Sequence, residues 1–297
     1  MFVGHAVLAF AIAVALTRRR LPERQVLALG LVAALFATVP DADMVYALVG
    51  LGGAVGDGGP MALANGFWSA STVTHRGATH SLLVAVPAAF AFAVRGRIGL
   101  AIVGGLYAVT LALSGPLAAA VVLTFGIAGL LVGHFGAGAL TPRWLFGAAL
   151  LGLLTHPFGD LLTGGPPALL WPLDVVVFTE RVELFVDPTL NLLLAFFVEL
   201  AVLWLGVLAL ASLRGVRLRR QFRPTAALGA AYAAVAFVLP PPTMDASYSF
   251  VFSVLAVGFV GAVPTSRRRH GLATALVTGL AAVTVAGLAY TVVHLAA

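Results

Sequence analysis

The chain has 297 residues, of which 61% are hydrophobic and 9% charged, with a formal net charge of +6 and no cysteine. So little charge excludes an ordinary soluble globular domain, and the missing thiols exclude a disulfide framework, a thiolate metal ligand and a cysteine nucleophile. The basic residues are all arginine and sit in short clusters between apolar runs, without interleaved aromatics, which excludes a soluble nucleic-acid-binding domain, so no nucleic-acid partner is expected.

The Ala/Leu/Val runs lack the alternation of a membrane barrel, so they read as helices whose backbone groups are satisfied internally. Roughly 20 apolar residues cross the hydrocarbon at about 1.5 Å each. Spans are expected near 2–17, 25–40, 81–94, 98–113, 116–134, 144–163, 188–213, 225–240, 249–264 and 271–294. The third and fourth are short, and a single hairpin turning at Arg95-Gly96-Arg97 accounts for them equally well. The fold class is therefore all-α, a polytopic bundle of about eight to ten transmembrane helices. Gly50 to Pro60 is glycine-rich and expected to be irregular.

Arg18, Arg19 and Arg20 follow the first apolar run instead of preceding it, the reverse of a signal peptide, so this run is a retained helix with an extracytoplasmic N-terminus. Alternating sides from there puts every arginine except Arg76 and Arg181 in cytoplasmic loops, as the positive-inside rule requires. The same alternation brings Asp41, Asp43, Asp57, Asp160, Asp174, Glu180, Glu183, Asp187 and Asp245 to the outer face of the cell membrane. Residues 1–213 carry every reactive constellation, and residues 214–297 read as structural or modulatory helices.

Four segments bring metal-ligating residue types to that outer face: His5, Pro40-Asp41-Ala42-Asp43, Thr74-His75-Arg76-Gly77-Ala78-Thr79-His80-Ser81, and Thr155-His156-Pro157-Phe158-Gly159-Asp160. His156 and Asp160 are four apart, so a helix projects both from one face toward a common ion or toward headgroups. Asp41 and Asp43 cannot share a helical face; a turn after Pro40 either converges them or uses one as a cap. His75 and His80 need Gly77 and a loop-to-helix transition to meet. Ionisable groups at membrane depth cost about 2.5–3.5 kcal/mol each, so their accumulation points to a return. Imidazole and carboxylate suit Zn, Mn or Fe, and His5, Asp41, Asp43, His75, His80, His156 and Asp160 suffice for two or three divalent ions. His134 and His270 lie beside cytoplasmic segments and are set aside.

These segments, followed by Asp160-Leu161-Leu162-Thr163-Gly164-Gly165 and Trp171-Pro172-Leu173, resemble the membrane-bound metal-dependent hydrolases related to bacterial YdjM and YbcI, across about residues 1–195. Phe185-Val186-Asp187-Pro188 resembles a downstream Asp-Pro of some members, which implies a supporting role for Asp187. A more distant similarity is to the zinc-dependent phospholipase C and S1/P1 nuclease group, although no His-x-x-x-Glu follows the His-x-x-x-Asp here.

The resulting expectation is a metal-dependent hydrolase acting on a phosphoester of a small-molecule or lipid substrate, with the bilayer as its other partner. Asp43 is a bridging ligand or the base, and Arg76 contacts substrate phosphate, a carboxylate behind a ligand, or headgroups. Thr79, Ser81 and Thr155 either accept the other ring N–H of a ligating histidine or cap helices. The loop 164–187 is a lid or an anchor at Trp171. Two other classes use the same residues: a metal- or proton-coupled transporter, with Glu199 mid-span, and a non-catalytic adaptor with a structural metal site.

Overall fold

The computed structural model describes residues 3–56, 59, 62–63, 66–67, 76–263 and 271–296, and every regular element among them is helical. The chain divides into two compact units, Met1–Arg181 and Val182–Ala297.

In the first unit, α1 (Gly4–Thr17) and α2 (Glu23–Phe36) form an apolar hairpin, and a 3₁₀ turn (Pro40–Tyr46) leads into α3 (Ala47–Ala54). The expected irregular segment is thus helical as far as Ala54, despite Gly50, Gly52 and Gly53. Away from water the backbone has no better partner than its own helix, which explains why glycine is common in membrane helices. A short 3₁₀ turn (Ala78–His80) precedes α4 (Leu82–Val94), whose first turn is capped by the Ser81 hydroxyl, accepting from the backbone N–H groups of Leu83 and Val84.

Gly96–Gly136 is one helical stretch, α5, broken at Gly115, which takes φ 84° and ψ 179° ahead of Pro116. Its limbs, 96–114 and 116–136, fold back on each other: Val103 lies against Gly126 and Leu130 against Gly99, pairs far too distant to touch along a straight helix at about 1.5 Å per residue. Each limb is long enough to cross the hydrocarbon, so the hairpin turns at Gly115, and Arg95-Gly96-Arg97 is the separate turn that joins it to α4. The last helix of the unit is α6 (Pro142–Asp160).

Small residues let these helices touch backbone to backbone. A side chain at Gly152 on α6 would meet the Ala33 carbonyl and the Ala37 nitrogen of α2, both at 2.6 Å, and one at Gly129 would meet the Phe92 ring of α4 at 2.1 Å. Phe36, Phe92, Phe125 and Leu145 fill the core among them.

In the second unit, α7 (Pro188–Arg214) starts under the Asp187 cap, which accepts from Leu190 N–H at 2.8 Å, and stops at Gly215 with φ 64°. The span expected at 225–240 is a 3₁₀ helix (Pro224–Phe237), and that at 249–264 is α8 (Tyr248–Ala256) followed by a 3₁₀ segment (Val257–Ala262). Both lie against α9 (Leu272–Ala296), where Gly229 approaches the Ala282 carbonyl, Gly261 the Ala275 carbonyl and Gly279 the Gly258 carbonyl. At about 2.0 Å per residue the tighter 3₁₀ form reaches farther per residue than an α-helix, so a short segment covers nearly the thickness of the hydrocarbon.

Among the described residues, three helical stretches are long and apolar enough to cross a membrane (Gly96–Gly136, Pro188–Arg214 and Leu272–Ala296), and Glu23–Phe36 with Pro40–Ala54, bent by 41°, passes the same test as a broken span or a re-entrant loop.

A candidate metal centre at four helix ends

Four chain segments converge where helices of the first unit end. His5 stands in the first turn of α1, Asp41 and Asp43 in the 3₁₀ turn beyond α2, His80 just before α4, and His156 and Asp160 in the last turn of α6. All but Asp41 are 3% exposed or less, so water does not solvate their polar atoms.

Asp160 is the hub. Its Oδ1 lies 3.2 Å from His5 Nε2, while Oδ2 lies 3.1 Å from His80 Nε2 and 3.5 Å from His156 Nε2. The two imidazoles meet Nε2 to Nε2 at 3.0 Å, and Asp41 Oδ1 is 3.4 Å from His156 Nε2. One ligand atom from each of Asp41, His80, His156 and Asp160 therefore falls within 4.8 Å of all the others. The His5 ring packs on His156 with centroids 4.0 Å apart.

The tautomers follow from what stands behind each ring. His156 Nδ1 is 2.7 Å from the Ala37 carbonyl, which can only accept, so Nδ1 carries a proton and Nε2 is the ring nitrogen turned to the cluster. This contact depends on Gly152, one turn earlier on α6, which lets the helix close onto the end of α2. Behind His80, Nδ1 lies 3.0 Å from the Thr79 hydroxyl, which itself donates to Asp43 Oδ2 at 3.4 Å, so the hydroxyl, backed by the carboxylate, is placed to accept the outer ring proton and turn Nε2 to the cluster as a ligand. Burial lowers the pKa of His80 more than Asp160 and Asp43 raise it, so the ring is neutral at pH 7.

Asp160 Oδ2 is a buried oxygen with no hydrogen-bond partner among the described residues, although two ring nitrogens stand within 3.5 Å of it. Two imidazoles and two carboxylates thus gather one ligand atom each around a common point, beside the Arg76 guanidinium, whose Nε lies 3.4 Å from Asp160 Oδ2. The donor set fits a divalent metal of the Zn, Mn or Fe type, which takes neutral imidazole and carboxylate.

Asp41 and Asp43 reach the cluster from different sides, because a 3₁₀ turn of about three residues rotates positions two apart well away from each other. Asp41 faces His156, and Asp43 stands behind His80, where it also accepts the Arg76 backbone N–H at 3.2 Å and the Thr79 hydroxyl at 3.4 Å. Arg76 has φ 67°, a strained value for a residue with a side chain, held by contacts in three directions. Its Nη1 donates to the carbonyls of Asp160 at 3.1 Å and Gly165 at 2.6 Å, Nε lies 3.4 Å from Asp160 Oδ2, and its own carbonyl accepts from Ala168 N–H at 2.9 Å. Gly164 leaves room for this guanidinium, which an added side chain there would meet at 2.5 Å.

Among the hydroxyls singled out from the sequence, Thr79 touches His80. Ser81 caps α4 and donates to the Trp171 carbonyl at 2.6 Å, and Thr155 donates back to Leu151 of its own helix at 2.8 Å. Asp187 caps α7 in the second unit and lies 3.7 Å from His294. His75, Asp57 and His270 lie outside the described residues. Trp171 is tied down at both ends, its carbonyl by Ser81 and its indole N–H by the Ser114 hydroxyl at 3.2 Å.

Sequence reasoning missed Ala37, Gly152 and Gly164. A backbone carbonyl leaves no mark in a sequence. The glycines do: Gly152 precedes His156 by one turn in a leucine-rich helix, and Gly164-Gly165 closely follows Asp160.

No curated protein and no solved structure matches the chain. The family model described as YdjM inner membrane protein matches residues 1–241, a region that contains every residue of the cluster. With most of its length matched and its apolar helices placing it in a membrane, this chain belongs to the YdjM inner membrane protein family.

Proposed function

We propose that the protein is a membrane-embedded metal-dependent hydrolase that cleaves a phosphoester, of a lipid or lipid-linked molecule, at the extracytoplasmic interface. The observation that carries this reading is the convergence of Asp41, His80, His156 and Asp160 within 4.8 Å. Asp41, His80, His156 and Asp160 hold the metal, and His5, at the other oxygen of Asp160, extends the donor set toward a second ion. A divalent ion bound there supplies Lewis acidity, polarising a phosphoryl oxygen and acidifying water toward neutral pH.

The chain's own residues prepare the site. Ala37 and Thr79, the latter backed by Asp43, orient the two rings, and Arg76 locks Asp160 through its carboxylate and its carbonyl. With these contacts made, the guanidinium acts as a positioning group rather than a free arm for substrate. Asp41 is the most exposed of the four ligands, its side chain 28% accessible, so substrate and water approach from its side. His80, His156 and Asp160 stand at helix ends, a placement that favours hydrolysis at headgroup depth, whereas Asp41 stands at the bend between Glu23–Phe36 and Pro40–Ala54, the kind of broken helix on which transport sites lie.

The test is hydrolysis of a chromogenic phosphodiester and of phospholipids by detergent-purified protein, before and after chelation, beside His80→Ala. Chelator-sensitive turnover that the variant lacks supports the proposal. If the metal-loaded protein turns over none of these phosphoesters, or turns them over equally well with His80→Ala, the proposed reaction is wrong.

A further inference from the structure

The segment after Trp171 plays no part in the metal centre, and its surface is unusual. Leu173, Val175, Val176, Val177 and Phe178 are 56%, 52%, 71%, 49% and 36% exposed, and the backbone from Val175 to Val177 is neither helix nor strand. Side chains of consecutive non-helical residues point in different directions, so this run presents apolar groups on several sides. It therefore lacks the polar face of a segment lying on protein in water.

Its position identifies what covers it. The chain just before it is pinned to the start of α4: Leu82 N–H donates to the Leu169 carbonyl at 2.9 Å, and Ser81 holds the Trp171 carbonyl. From that point α4 carries the outward stripe Leu83, Val86 and Phe90, at helical spacing and 42%, 50% and 48% exposed, the surface it turns to lipid. The apolar run follows directly on the chain pinned to the head of this helix. It cannot enter the hydrocarbon, where backbone without internal hydrogen bonds is not tolerated. Asp174 within it and Glu180 and Arg181 after it hold it among the headgroups, with the amphipathic Trp171 at its base.

We infer that residues 173–178 form a membrane-interface seat, immersed at the headgroup and upper acyl level of the bilayer on the side of the metal centre. Arg76 and Ser81 bond the chain just ahead of this seat, so lipid meets the protein beside the wall of the cluster. The consequence, an amphiphilic substrate entering sideways from the bilayer, rests on the hydrolase reading above; the lipid contact itself does not.

The natural absence of cysteine makes the test direct. Val176→Cys, labelled with a polarity-sensitive fluorophore, is reconstituted into phosphatidylcholine vesicles containing lipids with nitroxides at shallow or deep acyl positions, and its metal content is measured in the same preparation. The expected result is blue-shifted emission, quenched more by shallow than by deep nitroxides and little by aqueous iodide. Iodide quenching without nitroxide quenching overturns the seat by placing the segment in water. Disulfide-linked dimers of unlabelled Val176→Cys, together with absent nitroxide quenching, overturn it in favour of a second copy of the chain. Loss of metal with unchanged quenching strikes at the hydrolase reading and leaves the seat standing.

Discussion

The first unit buries His5, Asp43, His80, His156 and Asp160, whereas the polar side chains buried among the described residues of the second are Thr189, Asn191 and Thr278. Both units close helix on helix through glycine, Gly152 against α2 in one and Gly229 against α9 in the other. The difference lies in how the buried polar atoms are satisfied. In the second unit two of them bond to backbone: Asn191 accepts from Leu184 N–H at 2.7 Å, and Thr278 donates to the Gln221 carbonyl at 3.2 Å. In the first, carboxylate and imidazole atoms turn toward one another around Asp160 Oδ2, which has no hydrogen bond among the described residues. Shared packing rules therefore build two helical units, and among the described residues the first buries a His/Asp group that could hold a cation.

The comparison is broken most severely at Asp160. Asp160→Ala removes the carboxylate that touches His5, His80, His156 and Arg76, and metal bound to the purified protein is expected to fall to background in elemental analysis. Metal retained at the normal level in this variant means that the cation sits elsewhere. Asp43→Asn is milder, because the side chain stands behind His80: metal affinity should drop about 10- to 100-fold without vanishing, as seen when groups that orient metal ligands are changed. A competitive chelator titration reads this, and a complete loss would make Asp43 a ligand instead.

Gly152→Ala and Gly229→Ala sharpen the contrast between the units. Each puts a methyl group onto neighbouring backbone, and each should cost about 1–3 kcal/mol of stability. Gly152→Ala also pushes His156 from the Ala37 carbonyl and lowers metal affinity, whereas Gly229→Ala leaves metal content unchanged. Thermal unfolding and metal analysis on the same samples separate the two, and equal metal loss in both would show that the contrast is not local. The smallest effect is expected at Thr155, whose hydroxyl bonds back to Leu151: Thr155→Val should leave metal content at the normal level.

Much of the fold was legible in the sequence, because length and uninterrupted apolarity announce membrane helices. The separation of 98–113 from 116–134 held, since Gly115 and Pro116 mark a turn even though helix continues on both sides. The 3₁₀ form of Pro224–Phe237 was not legible, because its alanine-rich apolar sequence carries no local signal that separates it from an α-helix. In the cluster, the four-residue spacing of His156 and Asp160 pointed to a shared face, and their side chains do meet. The separate directions of Asp41 and Asp43 depend on a 3₁₀ turn that a Pro-Asp-Ala-Asp string does not specify. The holding roles of Ala37, Gly152 and Gly164 arise from neighbours distant in the chain, which a sequence read position by position does not display.

The central claim is that Asp41, His80, His156 and Asp160 together hold a divalent cation. Elemental analysis of the detergent-purified protein beside an Asp41→Ala/His156→Ala double variant, both prepared with Zn, Mn and Fe supplied, tests it most directly. The account predicts at least one equivalent of metal in the wild-type chain and background in the variant. Equal and negligible metal in two folded preparations would contradict it.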